Sequence, residues 1–208
     1  MSDLPTEAEK SRSSKVALRG RHLTARRQMS ASDLRSAAAH LQDQIRDLVR
    51  RADPSTIAAY VPVGAEPGGP DLIAVLAAEA RVILPVLLPD GDLDWAAYEG
   101  TLSAGPRGLL EPPGPRLGVD AVRSAELVLV PALAVDARGR RLGRGGGSYD
   151  RALSRLGPPP SPGRLIVALL HDGELVDEVP AEPHDRPVHG VITPTGGIFL
   201  NRTAEWTK

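Results

Sequence analysis

Apolar residues in this chain follow two different spacings. Leu34, Ala38, Leu41, Ile45 and Leu48 recur three or four positions apart, the repeat of one face of an α-helix. Ser30 precedes them with Asp33 three residues on, a capping pattern that marks a helix start. A first helix is predicted from about residue 13 to 28. Elsewhere the apolar residues form short unbroken runs rich in β-formers: TIAAYVPV (56–63), RVILPVLL (81–88), AELVLVPALAV (125–135), RLIVALL (164–170) and GVITPTGGIFL (190–200). Such runs predict strands buried on both faces. Between the first two, PDLIAVLAAEA (70–80) has proline at its start and predicts a helix. Another helix is predicted from about 148 to 156, ended by GPPPSPG, because proline lacks an amide proton and restricts the residue before it. The stretch before residue 125 is rich in glycine and proline and is expected to be irregular. Strands alternating with helices predict an α/β fold with a mostly parallel sheet covered on both faces. Residues 1–12 are polar without an apolar period and are expected to form a disordered arm, leaving 13–208 as a single domain.

The length of 208 residues suits one domain with a sizeable core. Lysine and arginine total 25 against 26 acidic residues, so no overall field favours nucleic acid or an anionic membrane, and any cationic site must be local. The chain has no cysteine, which removes disulfides, thiolate metal sites and a cysteine nucleophile together. The polar N-terminus is unlike a secretory signal, and no run of about 18 apolar residues occurs. A soluble, cytoplasmic protein with no nucleic-acid and no membrane partner is expected. RGRHLTARR (19–27) is basic, but no aromatic residues are interleaved with it for base stacking.

The local cationic site is GRRLGRGGGSYDRAL (139–153), which holds five glycines and four arginines and runs into a predicted helix. Glycines allow backbone amides to turn toward one point, and the helix start adds unpaired amides. Arginine forks match phosphate oxygens. Ligands in α/β sheets collect at the carboxyl ends of strands, where this loop is expected to follow the 125–135 strand directly. The loop has no Gly-Lys-Ser/Thr of a Walker motif and no regular Gly-x-Gly-x-x-Gly. Asp150 has two readings: a Mg²⁺ ligand beside a polyphosphate, or an acid that complements its own helix dipole. Lys15 and Arg19 lie four apart on one helical face, where like charges are costly unless an anion sits between them. Glu66 follows the first predicted strand. His184, Asp185 and His189 precede the last one; the histidines suggest zinc only weakly, and Asp185 could instead join Asp150 at Mg²⁺.

Four segments occur together in a recognisable order: KVALRG (15–20), YVPVGAE (60–66), RLGRGGGSYDRAL (141–153) and HDRPVHGVIT (184–193). In these the chain resembles the 5-formyltetrahydrofolate cyclo-ligase, or methenyltetrahydrofolate synthetase, family. The resemblance implies a three-layer αβα fold of the phosphosugar isomerase/CoA-transferase type. It also implies closure of 5-formyltetrahydrofolate to 5,10-methenyltetrahydrofolate with ATP as co-substrate and Mg²⁺; a monomer is expected. Nucleotide contacts implied are Lys15, Arg19, Arg141, Leu142, Gly143, Arg144, Gly145, Gly146, Gly147, Ser148 and Tyr149. The folate would meet Val61 and Glu66, with Arg144, Gly145, Gly146, Gly147 and Ser148. Arg144 and Tyr149 would be catalytic, and Asp150 and Asp185 would bind the metal. The chain departs from the pattern at Ser148, where many relatives carry a second tyrosine, and at Gly146, which is lysine in some. Trp95, Tyr98 and Tyr149 are the candidates for stacking on the pterin. Two rival expectations are a non-catalytic folate- or nucleotide-binding module and a sugar-phosphate isomerase-like enzyme.

Overall fold

The computed structural model of the protein describes residues 7–157, 163–180 and 185–199. The first helix, α1, spans Glu7–Gln28, so residues 7–12 of the expected arm are helical. Those turns hold glutamate, alanine and lysine, strong helix formers that need no apolar stripe to adopt the conformation. Helix α2 spans Ala31–Ala52 and starts as the sequence predicts: the Ser30 side chain accepts from the Asp33 amide, and the Asp33 carboxylate caps Ser30 in return.

The chain continues through β1 (Thr56–Ala58), α3 (Leu72–Ala77), β2 (Arg81–Leu87), β3 (Leu93–Ala97), β4 (Ser103–Ala104), β5 (Leu110–Glu111), β6 (Leu127–Pro131) and β7 (Ala134–Asp136). It ends with β8 (Arg141–Leu142), α4 (Ser148–Ser154), β9 (Leu165–Leu169), β10 (Leu175–Val176), β11 (Gly190–Thr193) and β12 (Gly196–Phe199).

Several predicted strands are cut short or divided. The 56–63 strand stops at Ala58: after the Ala59 amide bonds Ile83 O, the chain leaves the sheet toward Pro62, which has no ladder proton to offer. The 125–135 run is two strands in different sheets. β6 ends at Pro131, and after two residues β7 pairs with β8 and β10 instead. The 190–200 run is a hairpin of β11 and β12. The predicted 70–80 helix keeps only Leu72–Ala77, whose Leu72, Ile73 and Leu76 are buried. Conversely, the stretch expected to be irregular contains β3, antiparallel to β2 and carrying the fully buried Trp95.

The described residues form a seven-stranded sheet in the order β12-β11-β9-β6-β1-β2-β3. Its interior pairs are parallel, and only the edge strands β12 and β3 run antiparallel. Alternate residues face opposite sides. Ile57, Val82, Leu84, Leu127, Leu129, Leu165 and Val167 pack under α2 and α3. Ala58, Ile83, Val128, Val130 and Ile166 meet α4 and the 3₁₀ turn Val119–Ser124. Three layers result, with each fully buried leucine or isoleucine contributing about 1.5–3 kcal/mol. A smaller sheet, β10-β7-β8, seats α1 through Leu18 against Leu133, Ala134, Leu142 and Val179.

Candidate active site

From β1 the sheet grows in one direction to β2 and in the other to β6, so the two crossovers part at the β1/β6 carboxyl ends. Open α/β sheets form their ligand crevice at such a point. Here it is a cavity of about 460 Å³. Its walls come from α1 (Lys15, Arg19, Arg26), the exit of β1 (Tyr60, Val61, Glu66), the end of β2 (Pro85, Leu87), the β4–β5 turn (Arg107, Leu109, Leu110), the end of β6 (Pro131, Ala132, Leu133), Arg141–Asp150 and Asp185. Every residue implied above as a nucleotide, folate or metal contact lies on this one cavity.

The glycine segment is more structured than its composition suggests. It does not follow the central strand directly, because the β7–β8 hairpin intervenes. The Asp136 carboxylate closes that hairpin by accepting from the Arg138, Arg140 and Val179 amides at 2.9, 3.0 and 3.1 Å. The loop proper is Gly143–Gly147, with Gly145 at φ 101° and Gly147 at φ 68°, left-handed values that a side chain would strain. Its entrance is held by Arg19, whose Nε donates to Gly143 O at 2.9 Å. Its exit is held by Ser148 Oγ and an Arg151 guanidinium nitrogen, which donate to Gly91 O at 2.6 and 2.5 Å. No side chain caps the first amides of α4.

Three cation–carboxylate pairs line the cavity: Lys15 Nζ to Asp185 Oδ2 at 2.9 Å, an Arg141 guanidinium nitrogen to Asp150 Oδ1 at 2.7 Å, and Arg144 Nε to Glu66 Oε1 at 3.0 Å. Lys15 and Arg141 are buried, and a buried charge needs such a partner. Within the protein the two like charges of this helical pair take different partners: Lys15 turns to the Asp185 carboxylate and Arg19 to the Gly143 carbonyl. Arg141 also donates to Pro131 O at 3.2 Å and lies 6.0 Å from the Tyr149 ring centroid, within cation–π range.

Two buried polar atoms in this wall, Arg141 Nε and the Tyr149 hydroxyl, have no hydrogen-bond partner among the described residues. Burial, reinforced by the Glu66 charge and only partly opposed by Arg141, raises the Tyr149 pKa well above that of an ordinary phenol. The hydroxyl therefore stays protonated and acts as a donor, not a base. An acceptor-rich guest such as phosphate or a carbonyl oxygen matches these two groups. Among the described residues no group of three or more His, Cys, Asp or Glu could hold a metal by itself. Asp150 and Asp185 still fit a hard cation that takes one or two carboxylates and completes its shell from phosphates and water.

His184 lies outside the described residues, and His189 is buried with Nδ1 accepting the Ile166 amide at 3.0 Å, a structural task. Of the three aromatic candidates, Tyr149 borders the cavity; Trp95 is enclosed in the core, and Tyr98 packs against the α2 side. Tyr60 borders it and was not anticipated, because its run reads as plain buried strand. Arg107, Leu109 and Leu110 were missed for a different reason. They reach the cavity from a short hairpin in a stretch without periodicity.

The sequence model of the 5-formyltetrahydrofolate cyclo-ligase family matches residues 11–194. The chain belongs to this family. It is 46% identical over 154 residues to the 5-formyltetrahydrofolate cyclo-ligase of Mycolicibacterium smegmatis, across 71% of this chain and 77% of that protein. To the Escherichia coli cyclo-ligase it is 32% identical over 145 residues, 67% of this chain and 78% of the other. The fold matches the NMR structure of Aquifex aeolicus 5,10-methenyltetrahydrofolate synthetase with a TM-score of 0.76 at 25% identity, covering 92% of this chain and 96% of that one. It also matches the fold of the Mycoplasma pneumoniae synthetase at a TM-score of 0.69 and 19% identity, over 86% and 98% of the two chains. In this cyclo-ligase family member, the departure at Ser148 has a visible consequence: its hydroxyl is spent on Gly91 O, tying the loop to the β2–β3 turn.

Proposed function

We propose that the protein closes 5-formyltetrahydrofolate to 5,10-methenyltetrahydrofolate with ATP and Mg²⁺, giving ADP and phosphate. The observation that carries this is the convergence of α1, the β1 exit, the glycine loop and Asp185 on one cavity at the sheet's switch point. The formyl oxygen attacks the γ-phosphorus as the bond to ADP breaks; N10 then attacks the activated carbon and releases its proton to water or the leaving phosphate, and phosphate departs with that oxygen. Phosphoryl transfer asks mainly for alignment and charge neutralisation. No serine or cysteine nucleophile is needed.

Lys15, Arg19 and the 143–147 amides would cradle the triphosphate. Arg144 and the Tyr149 hydroxyl would donate to the oxygens that gain charge during transfer. Glu66 and Val61 would face the folate at its formyl end. Asp150 and Asp185 are the carboxylates that would hold Mg²⁺, which supplies charge neutralisation at the phosphate oxygens. Phosphate oxygens entering the cavity could take over Arg141 and Lys15, freeing both carboxylates for the metal. Every proposed contact comes from one chain, so the reading needs no second copy and treats the enzyme as a monomer. Among the described residues no helix is long and apolar enough to cross a membrane, and with the absence of cysteine this supports a cytoplasmic setting.

The test is to mix the protein with ATP, Mg²⁺ and 5-formyltetrahydrofolate and follow the methenyl chromophore and ADP together. Stoichiometric, ATP-dependent formation of both is expected. A folded protein that binds both substrates without turnover would instead be a binding module.

A further inference from the structure

Glu66 sits on a turn between β1 and α3, outside the main sheet. The turn closes on itself: the Glu66 amide donates to Val63 O at 3.2 Å, the Val63 amide donates to Glu66 Oε2 at 2.9 Å, and Gly64 between them is left-handed at φ 60°. Both backbone carbonyls flanking Glu66 are also gripped by side chains. Tyr60 donates its hydroxyl to Pro67 O at 2.8 Å, and His171 Nε2 lies 3.0 Å from Ala65 O. A carbonyl can only accept, so His171 carries its proton on Nε2.

His171 is itself firmly seated. It is buried just beyond the carboxyl end of β9. Its amide donates to Glu174 Oε2 at 2.8 Å, and the Glu174 amide returns to His171 O at 3.2 Å. Glu174 is locked in a buried pair with Arg26 at 2.7 Å, and Arg26 donates onward to Ala132 O, in the cavity wall, at 2.6 Å. An unbroken line of contacts thus runs from the sheet to the backbone beside Glu66.

We propose that His171 is a positioning residue for Glu66, fixing the 63–66 turn through Ala65 O so that the carboxylate meets both Arg144 and the folate. The inference rests on Glu66 serving the folate side, as in the function proposed above. His171 does not line that cavity. It borders a separate hollow of about 630 Å³ between α1, α2 and the β9–β10 turn, so its influence on substrate passes through the turn. Small displacements of an aligning group cost rate steeply, and sites hold their geometry through such supporting contacts.

The experiment compares His171→Leu, which keeps volume and loses the donor, with His171→Gln, whose amide can donate in its place. For His171→Leu, KM for 5-formyltetrahydrofolate should rise about tenfold while KM for ATP stays within about twofold. His171→Gln should return to within about threefold of the parent protein. In a Glu66→Gln background, His171→Leu should add less than about twofold, because its route is already cut. Equal losses for Leu and Gln, a joint rise of both KM values, or full additivity with Glu66→Gln would overturn the proposal. Amide hydrogen exchange decides the clamp without turnover: Val63 and Glu66 should exchange faster in His171→Leu and recover in His171→Gln. Unchanged exchange would overturn the clamp, whereas absent turnover with altered exchange would overturn only the function assigned to the cavity.

Discussion

Arg19 reaches from α1 to donate its Nε proton to the carbonyl oxygen of Gly143, at 2.9 Å, across 124 residues of sequence. The first helix and the glycine loop are thereby one unit. Arg19→Gln can keep a neutral donor but loses the charge, and Arg19→Leu loses both. KM for ATP should rise about threefold in the first and tenfold or more in the second, since charge-assisted hydrogen bonds are roughly twice as strong as neutral ones. Steady-state titration of ATP checks the order; equal values for both variants would leave the donor to Gly143 O without a role, and an unchanged KM in Arg19→Gln would leave the charge without one.

Asp150 and Asp185 each neutralise a buried cation, and in the function proposed above they would hold Mg²⁺. Asp150→Asn and Asp185→Asn should each shift the Mg²⁺ response of turnover to higher concentration. Asp150→Asn should also cost about 1–3 kcal/mol of stability, because Arg141 keeps a hydrogen-bond acceptor but loses its countercharge. Mg²⁺ titration and denaturant unfolding read the two effects separately. Unchanged metal dependence would remove both carboxylates from the metal's shell.

Tyr149 separates stability from activity in the opposite direction. Its buried hydroxyl has no partner among the described residues, so Tyr149→Phe should leave stability unchanged or raise it by up to about 1 kcal/mol. Turnover should nonetheless fall about tenfold if the hydroxyl bonds a reacting oxygen. Because the phenol stays protonated, the pH–rate profile should keep its shape in the variant. A lost alkaline limb would assign the hydroxyl to base chemistry instead.

The parts of this molecule legible in its sequence are those where local chemistry and tertiary demand agree. Helix α2 announced itself through Ser30, Asp33 and the Leu41/Ile45/Leu48 stripe because its cap and its buried face are both local. The parallel strands were visible as apolar runs, but their ends were not. Whether 125–135 is one strand or two depends on where Pro131 meets its neighbours, and nothing in the run reveals that β7 belongs to another sheet. β3 escaped because its alternation is short and flanked by aspartate and glycine. The cavity was read through its charged and glycine residues, which have few structural reasons to cluster. Its apolar floor and the Tyr60 and His171 grips on the Glu66 turn are not legible in the sequence: the floor is assembled from separate segments, Tyr60 reads as plain buried strand, and His171 meets a carbonyl 106 residues away.

Two buried histidines predict how the fold responds to acid. Burial lowers the pKa of His189, and burial also lowers that of His22, where it prevails over the opposing pull of Glu174 with Arg21 and Arg26 adding to it. A lowered pKa means the folded state prefers neutral imidazole. The associated stability is fully present above the ordinary value of 6.5 and is lost as pH falls through the folded-state values. Thermal unfolding should therefore give a flat Tm above pH 7 and a decline below about 6.5. His189→Gln, which can still accept the Ile166 amide through its carbonyl, should show a shallower decline; an identical acid limb would exclude His189 from it.

Neighbouring glycines in the loop should answer substitution very differently. Gly145 is left-handed, and a Cβ there would lie 3.4 Å from the Arg19 guanidinium carbon. Gly145→Ala should strain the backbone by about 1–2 kcal/mol and press on Arg19, lowering affinity for ATP. Gly146 has no positive φ, and a Cβ there would meet only Ser148 Oγ, at an ordinary 3.7 Å. Gly146→Lys should therefore fold as well as the parent and place a new cation beside the proposed phosphate site. Such a charge should lower KM for ATP by about three- to tenfold at low salt, with the gain shrinking as ionic strength rises. ATP titrations at two salt concentrations test this: an unchanged KM, or a gain indifferent to salt, would place the triphosphate away from the 145–147 stretch.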